Sequence, residues 1–196
     1  MNTTPNITAQ SWLMVGILGA TWGATFMITE VALTGITPFW LTAGRITFGA
    51  LLMTSIWASL GFKLFDISTQ TSAWTAVLAI GTFSTAVPFM LLAWGQQYVT
   101  SGFAGVSMAA VALIVLPLAH FFLPGERMTL RRGIGFAIGF VGVCVLIGAK
   151  AFESTGTELE TPGRIACVAA AGCYAVSTIL MRRLPPIDSI GLSAVL

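Results

Sequence analysis

The sequence predicts an all-α membrane protein, a polytopic helical bundle with six complete transmembrane helices and the start of a seventh. Three observations predict it. Only 8% of the 196 residues are Asp, Glu, Lys or Arg, against about 25% in a soluble domain. Mean hydropathy is +0.91. The apolar residues are gathered into runs long enough to cross a bilayer, parted by short polar or Pro/Gly-containing breaks. A soluble fold of this size still exposes roughly a third of the surface of its unfolded chain. So few charges cannot cover that surface in water.

A spanning helix needs about 20 apolar residues, because about 30 Å of hydrocarbon is crossed at about 1.5 Å per residue. Helix 1 is predicted over 12–33 and ends at Thr34-Gly35-Ile36-Thr37-Pro38. It lacks the basic flank of a signal peptide and reads as a retained helix. Helix 2 is predicted over 39–61, helix 3 over 73–95 and helix 4 over 103–123. Helix 5 follows over 132–148 and helix 6 over 163–184, which ends at Pro185-Pro186. Residues 187–196 read as the entry to a seventh helix. The chain stops within this apolar run, which predicts a fragment of a longer protein. These runs are apolar on all faces, unlike barrel strands, which alternate every second residue.

Short cytoplasmic loops accumulate Lys and Arg. The even loops hold Lys63, Arg127, Arg131, Arg132, Arg182 and Arg183, whereas the odd loops hold Lys150 and Arg164. The bias predicts a cytoplasmic N-terminus over 1–11 and an external acidic loop over 150–162 carrying Glu153, Glu158 and Glu160. The expected location is the cell (inner) membrane.

Composition also excludes. A net charge of +2 is no polyanion-binding excess, so nucleic acid is set aside. Cys144, Cys167 and Cys173 lie in apolar runs without metal-ligand spacing. Neither metal nor cofactor is expected. Ser107 and His120 share helix 4 but stand thirteen residues apart, about 20 Å along the axis, so they form no hydrolytic dyad. An enzyme is not expected, and a channel or receptor is the alternative to a carrier.

Helix 6 repeats helix 1. Ala20-Thr21-Trp22-Gly23-Ala24-Thr25 aligns with Gly172-Cys173-Tyr174-Ala175-Val176-Ser177. A five-helix unit crosses the membrane an odd number of times, so its copy inserts upside down, as in many secondary transporters. The sequence resembles the drug/metabolite transporter superfamily of the EamA type. The resemblance is carried by Trp22-Gly23-Ala24-Thr25-Phe26, by Pro38 with Ala43-Gly44-Arg45-Ile46-Thr47-Phe48, and by residues 107–148. The last stretch includes Leu123-Pro124-Gly125-Glu126-Arg127 and a glycine-rich helix 5; Pro124 departs from the family's usual leucine-glycine-glutamate. The resemblance implies ten helices in two inverted five-helix repeats. Residues 12–149 would be the first repeat and 163–196 the truncated start of the second. It also implies alternating-access transport, expected as export, of a small amino-acid-like or drug-like metabolite. The expected partners are membrane lipid and that small molecule, with room for a homodimer.

An ionisable group in hydrocarbon costs several kcal/mol, so it faces a partner or a watery cavity. Arg45 lies within helix 2 and Glu30 near the outer end of helix 1. A tight helix 1–helix 2 hairpin would bring them together, either as a structural ion pair or as a substrate anchor and coupling carboxylate. His120, the one histidine, is an interface residue or a proton relay. Trp22 sits mid-helix, where an interfacial belt does not explain it; with Thr25 it marks a candidate cavity wall. Trp94 and Tyr98 are further cavity candidates. Pro88 and Pro117 are candidate kinks. Gly135, Gly139 and Gly142 in helix 5 predict close helix packing.

Overall fold

The computed structural model describes residues 8–62, 64, 71–123, 125, 129–151 and 154–196. Lys63, Pro124, Glu126, Arg127 and Glu153 lie outside the described residues, as do residues 1–7 and the side chains of Cys144 and Lys150.

The described chain is helical, without a strand. The first two helices, α1 (Ala9–Ala32) and α2 (Pro38–Ser59), follow the predicted breaks. The third run is one helix in three parts: α3 (Thr71–Gly81), a π turn (Thr82–Ala86) and α4 (Val87–Gly95). The fourth is α5 (Ser101–Ser107) and α6 (Ala110–Phe122). Then come α7 (Leu130–Ala151), α8 (Glu160–Met181) and the short α9 (Ser189–Val195). Among the described residues, five helical segments are long and apolar enough to cross a membrane: Ala9–Ala32, Pro38–Ser59, Ala73–Gly95, Ser101–Phe122 and Glu160–Met181. The chain is a multi-pass membrane protein.

Local chemistry sets the ends. The Thr8 hydroxyl accepts from Ser11 N–H at the start of α1, Thr100 from Phe103 N–H at α5, and Asp188 from Gly191 N–H at α9. Each satisfies a backbone donor that a first turn leaves open. Glu160, predicted in the loop, opens α8 instead. Its carboxylate accepts from the Ser154 hydroxyl at 2.8 Å and Thr155 N–H at 2.9 Å, and pairs with Arg164 one turn on. Polar bonding at the helix start therefore draws Glu160 and Arg164 out of the loop.

The centre of the bundle is α8. Ala166, Cys167, Ala170, Ala171 and Ala175 are buried on it, and α4 and α6 pack along it. Leu92, Val99 and Ala104 complete the core with Cys167 and Ala170. Small side chains let these axes approach closely, which is how helices associate where the solvent is itself apolar. The closest approach joins Gly95 and Gly163. A Cβ on Gly95 would lie 2.9 Å from both Cys167 Sγ and Gly163 O; one on Gly163 would lie 3.0 Å from Tyr98 Cβ. The glycine row of α7 does not behave this way. Gly135 and Gly142 face open space, and Gly139 has only Leu113 at 3.9 Å.

α1 and α2 leave most side chains exposed, including Trp12, Leu13, Ile17, Leu51 and Phe48. Large apolar groups on an outer face suit hydrocarbon surroundings. The expected helix 1–helix 2 hairpin does not pack along its length. α1 lies against α5, and α2 against α4 and α9.

Candidate functional site

A cavity of about 210 Å³ opens between α1, α2, α4 and α8. One face of α1 supplies Thr21, Trp22, Thr25, Phe26 and Thr29, residues spaced three and four apart. The Thr21 hydroxyl donates to Ile17 O and the Thr25 hydroxyl to Thr21 O, both at 2.8 Å. Each hydroxyl thereby satisfies its proton within its own helix and keeps lone pairs for the cavity. Phe89, Leu92 and Ala93 come from α4, Gln96 and Met108 from the turns after α4 and α5, and Tyr174 from α8.

Arg45 is the cation of this wall. Its Nη1 donates to Thr29 Oγ1 at 3.3 Å, and its guanidinium lies 4.8 Å from the centre of the Phe89 ring. Both partners are neutral. The Thr42 hydroxyl, nearly one turn before Arg45, donates to Phe89 O at 3.4 Å and ties α2 to α4. On the far wall Gln96, itself buried, donates from Nε2 to Phe26 O at 2.9 Å and ties α4 to α1.

The expected Glu30–Arg45 pair is not formed. Residues 29 and 30 stand about 100° apart around a helix, and it is Thr29 that faces Arg45. Glu30 Oε2 accepts instead from Ser101 N–H at 3.0 Å. It holds the end of α1 to the start of α5 and lines a separate recess with Gln97, Tyr98, Thr100 and Thr155. Gln96 borders both spaces. The Thr155 hydroxyl donates to Tyr98 O at 2.9 Å, so the 154–157 segment lies against this recess.

Trp22 and Thr25 line the cavity. Trp22 is 57% exposed, so its ring borders space rather than being packed away. Trp94 lines neither space; its ring meets Tyr98 edge-on at 5.1 Å. His120 is exposed on the last turn of α6, edge-on to Phe121 at 5.0 Å, and does not line the cavity. Ser107 lies on α5, where its hydroxyl donates to Ala104 O at 2.7 Å. Among the described residues no three His, Cys, Asp or Glu side chains gather as a metal site.

Both proline positions were read as kinks. Pro88 is fully buried and follows the π turn, where Val87 N–H reaches Thr82 O. A proline ring clashes with the carbonyl four residues back, and the wider turn makes room for it. Pro117 lies inside the continuous α6. The fourth run breaks earlier, at Met108 and Ala109, through i→i+3 bonds from Met108 N–H to Gly105 O and Ala109 N–H to Val106 O. Met108 then faces the cavity. Phe26, Thr29, Phe89, Gln96 and Tyr174 were not singled out as cavity residues from the sequence. The three- and four-residue spacing from Thr21 to Thr29 was the available signal for α1.

The model of the EamA-like transporter family matches residues 10–148. The chain belongs to this family. Protein PagO of Salmonella typhimurium is 27% identical over 161 residues, covering 82% of this chain and 51% of that protein. An uncharacterized transporter of Archaeoglobus fulgidus is 26% identical over 140 residues, covering 70% of this chain and 47% of its own. The uncharacterized transporter YoaV of Bacillus subtilis is 23% identical over 185 residues, 93% of this chain and 61% of its own. The chain thus spans about half the length of the curated relatives it matches. No solved structure matches it.

Proposed function

We propose that this chain belongs to a carrier that moves a small organic solute through the α1–α2–α4–α8 cavity by alternating access. The observation that carries the reading is the cavity itself: a cation, hydroxyls, an amide and aromatic rings converge within an otherwise apolar bundle. Ligand sites are typically of this kind, mostly apolar with a few polar groups that fix orientation. Trp22, Thr25 and Arg45 are its contact residues in this reading, and Glu30 and Tyr98 belong to its outer mouth.

The architecture goes with it. α7 is the fifth span, α8 the sixth and α9 the start of a seventh, giving one five-helix repeat over 12–149 and the opening of an inverted second over 163–196. The whole carrier has ten helices, a cytoplasmic N-terminus, an inner-membrane location and an outward transport direction. Supporting the repeat, the aligned aromatics Trp22 and Tyr174 both border the one cavity.

The test is flux in proteoliposomes over a panel of metabolites, comparing wild type with Arg45→Ala and Trp22→Ala. Saturable uptake stimulated by solute on the opposite side supports a carrier. Flux that rises linearly with concentration and shows no counterflow would mark a channel and sink the reading.

A further inference from the structure

The described lining of the cavity holds one cation, Arg45, and no carboxylate. Arg45 is seven residues beyond Pro38, the first residue of α2, and so roughly 10 Å into the membrane. Among the described residues its partners are the Thr29 hydroxyl and the Phe89 ring. No Asp or Glu lines the cavity. The adjacent carboxylate on α1, Glu30, is engaged by Ser101 N–H and faces the other recess. A guanidinium on a cavity wall gains from an opposite charge with good hydrogen-bond geometry, and the described lining residues supply none.

We propose, building on the carrier reading, that the solute supplies it: the substrate is a small monoanionic carboxylic acid with an apolar or aromatic body. Its carboxylate pairs with the Arg45 guanidinium, whose planar fork matches two carboxylate oxygens. Thr29 and Phe89 orient that fork. The apolar body lies against Phe26, Leu92 and Met108. A dianion would bring a second negative charge that no other cation among the described lining residues meets. A zwitterion would bring an ammonium that no carboxylate among the described lining residues receives. The substrate class is thereby narrower than amino-acid-like compounds in general.

The test is calorimetric titration of the protein in nanodiscs at neutral pH, with empty nanodiscs as control. The probes are 3-phenylpropionate and its uncharged amide, 3-phenylpropionamide, which share one body. Wild type is expected to bind the acid about tenfold more tightly or better, the difference between a charge-assisted and a neutral hydrogen bond. Arg45→Gln should weaken the acid to the level of the amide and leave the amide unchanged. Arg45→Lys should keep a preference for the acid, which guards against simple misfolding of the glutamine variant. Equal binding of the two probes by wild type, an acid preference that survives in Arg45→Gln, or no binding of either probe would each overturn the proposal. Acid-selective binding without counterflow would overturn the carrier and leave the anion site standing.

Discussion

Gly95 and Gly163 stand face to face where α4 crosses α8, and neither position has room for a methyl group. Gly163→Ala is expected to cost about 1–3 kcal/mol, the usual penalty for overpacking, and to lower the midpoint of thermal unfolding in detergent. Gly135→Ala, whose Cβ would enter open space, should leave that midpoint unchanged or raise it, because alanine favours helix. The sequence pointed to the opposite pair of sites. A GxxxG spacing is visible in one helix, but Gly95 and Gly163 belong to different helices, and only the fold brings them together. The same holds for Arg45. Its presence in hydrocarbon was legible as a demand for a partner, yet a single residue step around α1 decided that Thr29 rather than Glu30 answers it.

The helical runs were legible because their length and the turns between them follow from hydropathy and from Pro, Gly and polar breaks. Their internal irregularities were not. Hydropathy is nearly uniform around each run and carries no mark of a π turn at Thr82–Ala86 or a break at Met108–Ala109. Pro88 was the available clue to the first. Pro88→Ala would add an N–H opposite Ser84 O and remove the ring that the wide turn accommodates. The expected result is slower amide exchange over residues 84–89 and reduced counterflow; unchanged exchange would show that Pro88 does not maintain the turn. At the end of α1, Glu30→Gln weakens the bond that Ser101 N–H gives to this helix. Faster exchange at residues 101–104 is expected, with a loss of about 1 kcal/mol. No change there would mean that Thr100 alone secures the start of α5.

Two features bear on the whole molecule: the charge bias and the repeat. The bias sets a prediction that labelling can check. Thr155→Cys, on the segment that abuts the Glu30 recess, should react with a membrane-impermeant maleimide added outside intact cells. Ser11→Cys should react only after the cells are opened. The reverse pattern would invert the topology. The proposed repeat rests in the sequence on one aromatic opposite another, Trp22 and Tyr174, and both line the cavity between α1, α2, α4 and α8. Assembly of the helices was less legible. The turn between α1 and α2 implied that they pack together, whereas burial on α8, with its run of alanines, draws α4 and α6 to it instead.

That central place of α8 has a consequence for how the protein is made. α4 and α6 leave the ribosome and enter the bilayer before the helix that shelters them has been translated. At about 5–20 residues per second, they wait several seconds with their small-residue seams facing lipid. Insertion and compaction are therefore separate events in the life of the chain. In the interval between them α4 has α2, and α6 has α5 and α7, as partners, and their α8-facing sides stay uncovered.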